Sequence, residues 1–405
     1  MKTATGSQTT SSGQMTGVHT LIMIHLARHW EIFHRRFLIQ ALATALPEGW
    51  AVLCVNRPLT AEVTPFKYPQ RLLRELPRRR PQCLAPALYL YTPWQPLHEI
   101  VAARLPGMTR LNRLFLHRQL RRVLKKTFPV LERMISWIYE PLQHWIRGLS
   151  PKEQLVYECY DDYSRDPSGS PRPAVWQREL RVLANADLAF FTADLLAQSR
   201  ASNVRRACYL PNGAPAFLLE ADKTKTGDRS AAAGIRVGYL GNWYSFMATD
   251  LLYALCRDHP QWSFVFAGPV KLPAATANLR QLPNVTFLGP IPYADVPAFM
   301  RSLDVALIPF ALNEYVRATN PLKTYEYMAA GVPIVASDLP ELRRFAEVIR
   351  IVENTPQAFA AAITETLNEN RDSLAEKLSA TAREYTWEAI CRQVVVPELL
   401  RLVGD

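Results

Sequence analysis

The chain has 405 residues, 49% of them hydrophobic, with 47 Lys and Arg against 36 Asp and Glu for a net charge of +11. That length exceeds the ~250–300 residues at which one core stops growing, so two domains are expected. No run nears the ~18–20 apolar residues of a membrane span. The six cysteines are scattered without a C-x-x-C pair, which argues against a zinc site or disulfide framework and for buried thiols in a reducing cytosol.

The charge is uneven. Residues 1–212 hold 29 Lys and Arg against 15 Asp and Glu, whereas the remainder holds 18 against 21. The excess is densest in Arg71–Pro81 and Arg110–Lys126, where Leu and Phe interleave with the cations. Such stretches suit an anionic membrane surface or an anionic ligand. Nucleic acid is the rival reading, but it rests on charge alone, outside any recognisable module. The plain alternative is a solvated helix face.

The first seventeen residues are polar and low in complexity, lack the apolar core of a secretory signal, and read as a disordered tail. His19–Ala27 then reads as a buried strand, Trp30–Leu46 has helical spacing, and Ala51–Pro58 reads as a second strand. This β-α-β opening predicts a parallel sheet. Pro-rich connections and basic amphipathic helices fill residues 58–149. Gln154–Tyr163 is a strand with its exit loop, Val175–Ala186 a helix, Asp187–Ala193 a strand, and Ala207–Ala214 a strand ending in a turn. Ala221–Gly234 is small, polar and aperiodic, as a linker is. After it strands and helices alternate again through "IRVGYLG", "WSFVFAGP", "VTFLGPI" and "DVALIPF", and the chain ends in an amphipathic stretch, Thr381–Val403. The division expected is a tail (1–17), a first domain (18–220), a linker (221–234), a second domain (235–385) and a terminal helix (386–405). Both domains should be doubly wound α/β units.

The segment "NPLKTYEYMAAGVPIVAS", residues 320–337, carries the most chemistry. Asn320 is a good N-cap and Pro321 a good first helical residue, while Gly331 and Pro333 stop the helix. A loop and helix N-terminus following a strand are where open α/β sheets bind ligands. The free N–H groups and dipole suit a phosphate, and Lys323 adds a full charge beside them. Glu326, one turn on, can accept two hydrogen bonds from a ribose diol. The competing reading is an i,i+3 surface ion pair between Lys323 and Glu326.

With "VGYLGNW", "FVFAGP" and "LPNVTFLGPIPYADVPAFMRSLDVALIPF", this helix resembles the donor domain of GT-B glycosyltransferases. In the first half "LVYECYDDY", "VLANADLAFFTADLL" and "YLPNGAP" resemble family 4-like bacterial enzymes that build surface polysaccharides, and the related glucuronosyltransferase of xanthan assembly. The resemblance implies two Rossmann-like domains facing a cleft, with the terminal helix crossing back to the first domain. It further implies that the first domain binds the acceptor and the second a UDP- or GDP-linked sugar. Glu326 would bind the ribose, and Lys323 and Asn320 would lie at the donor. Gly241 and Asn242, in "YLGNW", would sit against the diphosphate, and Asn212 and Gly213 at the interdomain hinge. One departure stands out. Many retaining family 4 enzymes carry two glutamates separated by seven residues, and here the first position is Ala318; Glu314 is nearby but out of register. This favours inversion.

Inversion needs a base for the acceptor hydroxyl, expected from the first domain across the cleft. Asp161 and Asp162 end a strand there, and their mutual repulsion would raise one pKa; an Asx turn is the alternative. Arg28 and His29, in the first strand-to-helix loop, and Glu314 and Arg317, before the donor helix, are further candidate contacts. No D-x-D stands in a suitable loop, so metal-independent catalysis is expected, with no cofactor. The protein is expected to be cytoplasmic, peripheral on the inner face of the membrane, acting on a lipid-linked or glycan acceptor. A non-catalytic nucleotide-sugar-binding or scaffold protein of the same fold is the alternative.

Overall fold

A computed structural model describes residues 17–60, 80–102, 104–146, 148–220 and 234–404. The expected tail (1–16), nearly all of the expected linker (221–233) and most of the Arg71–Pro81 run lie outside the described residues.

The first half builds β1 (Thr20–His25), β2 (Trp50–Val55), β3 (Leu59–Thr60), β4 (Gln82–Ala85), β5 (Leu88–Tyr91), β6 (Trp94–Gln95), β7 (Arg133–Ile138), β8 (Glu153–Cys159), β9 (Leu188–Phe191) and β10 (Ala207–Tyr209). Eight of these form one sheet in the order β10-β9-β8-β7-β1-β2-β5-β4, with β3 and β6 paired separately. Every described pairing in the large sheet is parallel except β4 with β5. β1 and β2 are buried along their whole length. That is why they read as unbroken apolar runs: helices cover both faces of a parallel sheet. Strand order reverses between β1 and β7, so the carboxyl ends of β1, β7 and β8 border a crevice.

The expected single helix over residues 30–46 is broken in two. A short 3-10 turn, Trp30–Ile32, ends at extended Phe33, and the α-helix runs Arg36–Ala45. Phe33 is buried, with its ring edge-on to Tyr139 at 5.0 Å, so its packing interrupts the helix. Residues 33–35 are thereby turned toward the strand ends.

The second half builds β11 (Arg236–Leu240), β12 (Ser263–Ala267), β13 (Val285–Gly289), β14 (Val305–Ile308), β15 (Ile334–Ser337) and β16 (Arg350–Val352). They form one parallel sheet, β13-β12-β11-β14-β15-β16. Leu218, on the short helix Phe217–Glu220, belongs to this second core and not to the first. The segment "LPELRRF" forms a 3-10 helix, Pro340–Phe345.

The terminal segment crosses back. Trp387, Ile390, Cys391, Val395, Leu399 and Leu402 are buried in one cluster with Ile22, Leu42 and Val52 of the first domain. The two interdomain crossings run side by side: Ala214 N–H donates to Tyr385 O (2.9 Å) and Trp387 N–H to Ala214 O (3.0 Å). Gly213 allows this approach, since a Cβ there would lie 2.7 Å from both Tyr385 O and the Ile390 side chain.

Candidate active site

The helix after β14 runs Leu322–Ala329 and is stopped by Gly331 at φ +67, a left-handed conformation that favours glycine. Its start differs from the sequence reading. Pro321 holds the cap position, and Asn320 makes no capping bond. The Asn320 amide instead donates to Thr192 O (2.8 Å) of the first domain, and Asn320 O accepts from Asn212 Nδ2 (2.5 Å). Asn320 is therefore a strut between domains, because the first domain's backbone competes successfully for its side chain. The strut continues inward. Arg35, wholly buried, donates to Asn212 Oδ1 (2.5 Å) and pairs with Glu158 at 2.7 Å. Its guanidinium also stacks over the rings of Tyr160 and Trp387.

Lys323 and Glu326 do form the i,i+3 ion pair, but it is not a surface pair. Glu326 is buried at 3% exposure, and the Lys323 side chain is 23% exposed. Lys323 faces a group from across the cleft, and Glu326 one from its own domain. Lys323 lies within electrostatic reach of His34, next to Arg35, and Glu326 within reach of Tyr293 in the loop after β13. Burial, then the charges of Arg35, Arg28 and Lys323, push the His34 pKa down to about 3. His34 is thus a neutral imidazole among three cations, its ring edge-on to Tyr160 at 4.8 Å.

The two aspartates after β8 have separate fates. Asp162 is buried and pairs with Arg200 at 2.6 Å, while its Oδ1 also accepts from the Ser164 N–H (3.1 Å) and hydroxyl (2.5 Å). Arg200 is fixed in turn by Glu179 at 2.9 Å. Asp162 is therefore the turn-former, and its candidacy as base is withdrawn: its lone pairs are already engaged. Asp161 is half-buried and accepts a bond from Tyr315 Oη (3.2 Å) of the second domain. Its carboxyl is raised to about 6. The leading cause is burial; repulsion from Asp162, the cause expected from sequence, is the smallest contributor, and Tyr315, Arg35 and Arg28 pull the other way. A carboxylate near 6 is ionised at neutral pH yet basic enough to accept a proton.

The remaining candidates scatter. Arg28 is exposed at the mouth, its charge felt by both Asp161 and His34. His29 precedes the 3-10 turn, half-buried, and its carbonyl accepts from Ile32 N–H (3.1 Å). Glu314 and Arg317 are exposed, on a one-turn helix whose Tyr315 enters the cleft in their place. Ala318, the missing first glutamate, is buried against first-domain residues that include Tyr157 and Phe191. At Gly241 a Cβ would collide with the Tyr239 hydroxyl, so close packing of Tyr239 accounts for the glycine there. Asn242 beside it is exposed.

Residues 236–369 match the family described as "Glycosyl transferases group 1". The chain is 26% identical over 66% of its length to 68% of "Putative teichuronic acid biosynthesis glycosyltransferase TuaH" of Bacillus subtilis (strain 168). It is 31% identical over 28% of its length to 30% of a phosphatidyl-myo-inositol mannosyltransferase of Mycobacterium leprae. Among solved structures, sucrose-phosphate synthase of Thermosynechococcus elongatus superposes with a TM-score of 0.67 at 17% identity, over 96% of this chain and 100% of that one. Anabaena HepE in complex with UDP and glucose gives 0.66 at 13% identity, over 94% and 99%. The chain has the GT-B fold, and its second domain matches the group 1 glycosyl transferases.

Two cleft residues escaped the sequence reading. His34 was hidden because a continuous helical pattern over 30–46 gave no sign that residues 33–35 turn out of it. Tyr315 was hidden because it stands between two charged residues, Glu314 and Arg317, which are the more obvious contacts for a polar ligand. Aromatic character beside "NPLK" was the available signal.

Proposed function

We propose that this glycosyltransferase moves a sugar from a nucleoside-diphosphate donor to a lipid-linked or glycan acceptor in cell-surface polysaccharide assembly. The observation that carries the reading is the facing pair of charges. A carboxylate near pKa 6, Asp161, comes from the first domain, and the buried Lys323–Glu326 couple from the second, with His34 and Arg28 between. The Bacillus subtilis relative's connection to teichuronic acid supports a polysaccharide product, and the likeness to HepE with UDP supports a uridine donor, with GDP the alternative.

In this reading Asp161 takes the proton of the acceptor hydroxyl as its oxygen attacks the anomeric carbon. The bond from that carbon to the diphosphate oxygen breaks, its electron pair stays with the diphosphate, and the nucleoside diphosphate leaves. Lys323 and the N–H groups at the start of the helix Leu322–Ala329 stabilise the charge that develops there. Glu326 holds the ribose hydroxyls, and the anomeric configuration inverts. The lysine and helix end do the work assigned elsewhere to a divalent ion, so activity should survive EDTA. Outside the cleft the partner is a surface: the basic helix Met108–Thr127 rests on the anionic inner face of the cell membrane.

The test is turnover of radiolabelled UDP-glucose, UDP-glucuronic acid and GDP-mannose, with and without membrane lipid extract, by wild type and Asp161→Asn. Lipid-dependent transfer that Asp161→Asn lowers at least a hundredfold supports the assignment. Binding of nucleotide with no turnover of any donor would point to the non-catalytic alternative, and full activity of the variant would remove Asp161 as base.

A further inference from the structure

Asp161 and Tyr315 belong to different domains, and their side chains meet at 3.2 Å. We propose that Tyr315 is a positioning residue for the base: its phenol, reaching across from the second domain, holds the Asp161 carboxylate ionised and oriented. The inference rests on the reading of Asp161 as the base.

The geometry supports this in three ways. First, Tyr315 sits on the one-turn helix Glu314–Arg317, six residues before Pro321, which caps the donor helix. That short helix is pinned to the Asp161 side of the cleft by more than the phenol. Asn313 caps it through Val316 N–H (2.8 Å), and its amide reaches Pro167 O (3.2 Å) in the loop that follows the aspartates. Second, Tyr315 can only donate. Burial, followed by the Asp161 charge, raises its phenol far above the working range, so it stays protonated and favours the ionised carboxylate. Third, the other groups around Asp161 all come from the first domain. Arg35 is locked to Glu158 and Asn212, Arg28 stands exposed at the mouth, Asp162 is held by Arg200, and Tyr160 and Tyr163 pack alongside. Among the described residues Tyr315 is the contact that domain opening would remove.

The consequence is directional. Loss of the phenol alone, with the burial unchanged, raises the Asp161 pKa above its value of about 6.

The experiment reads Asp161 directly. The carboxyl carbon of Asp161 is followed by 13C NMR titration of the full chain, assigned by its absence in Asp161→Asn, in wild type and Tyr315→Phe. The expected result is a midpoint near 6 in wild type and a higher one in Tyr315→Phe. In turnover the acid limb of kcat/KM should move in the same direction, with a loss of about threefold or more at pH 5.5 and under about twofold at pH 8. An unmoved Asp161 midpoint overturns the proposal, as does a loss that is equal at every pH, which is the mark of a merely structural tyrosine. Tyr315→His, which returns a ring donor, should restore part of the shift. If Asp161→Asn keeps full activity while the midpoint still moves, the reading of Asp161 as base fails and the coupling to Tyr315 stands. If Asp161→Asn is inactive and the midpoint does not move, only the present inference fails.

Discussion

Arg35 Nη1 donates to Asn212 Oδ1 at 2.5 Å, deep between the two domains. One buried guanidinium thereby links β8, through Glu158, to the crossing that carries "PNG" and, through Asn212, to Asn320 at the head of the donor helix. Removing one partner of a buried pair strands the other as an uncompensated charge, which costs about 3–5 kcal/mol. Arg35→Met should therefore destabilise by that order in denaturant unfolding. Arg35→Lys should recover little, because an ammonium cannot reach both Glu158 and Asn212 in the guanidinium's fork. Arg35→Met combined with Glu158→Gln should be more stable than Arg35→Met alone; additive losses would show that the pair is not coupled.

Asp161 predicts the opposite sign. Its folded pKa, about 6, is raised above the ordinary carboxylate value, mainly by burial. A raised carboxyl contributes stability that is complete below the unfolded pKa and is lost as pH climbs through 6. At pH 8 the folded chain thus carries a destabilising charge whose cost is at most about 3 kcal/mol, less where water reaches the half-buried group. Asp161→Asn should raise Tm at pH 8 and lose that advantage by pH 4. A variant less stable than wild type at pH 8 would contradict the burial that makes the group a base.

The contrast between those residues shows what the sequence disclosed. Parallel strands buried on both faces read as apolar runs, so two α/β units were legible from pattern alone, while the return of the terminal helix came from the family resemblance. Lys323, Glu326 and the aspartate pair were legible because strand ends and helix starts mark themselves with turn and cap residues. What stayed hidden was which acid of the pair is free. That depends on Arg200, nearly forty residues downstream, whose guanidinium reaches Asp162 and not Asp161. The role of Asn320 was hidden for the same reason: its competing partner, Thr192 O, is 128 residues away.

Lys323 and Glu326 neutralise each other, which makes their roles separable. Lys323→Ala should weaken both UDP and inorganic pyrophosphate by about 10–100-fold, the worth of a charge-assisted phosphate contact. Glu326→Ala should weaken UDP, by loss of the ribose acceptor, yet tighten pyrophosphate, because it frees the ammonium. Thermal shift against both ligands reads the pattern. Parallel losses in both variants would mean that the two side chains serve the fold and not the nucleotide.

The helix Met108–Thr127 carries seven Lys and Arg and no acid, and it leaves Leu111, Leu114 and Phe115 exposed among them. Among the described residues no helix is long and apolar enough to cross a membrane, so any contact through this element is with the surface. Cations near an anionic bilayer contribute about 1 kcal/mol each, and the exposed leucines and phenylalanine add burial at the headgroup boundary. The chain should co-sediment with phosphatidylglycerol-containing vesicles and release as salt shortens the Debye length. Arg118→Glu with Arg122→Glu should abolish the binding, and Leu114→Gln with Phe115→Ser should weaken it while keeping its salt dependence. Equal binding to pure phosphatidylcholine would show that charge does not direct it. Variants that still sediment like wild type would move the contact to another face of the first domain.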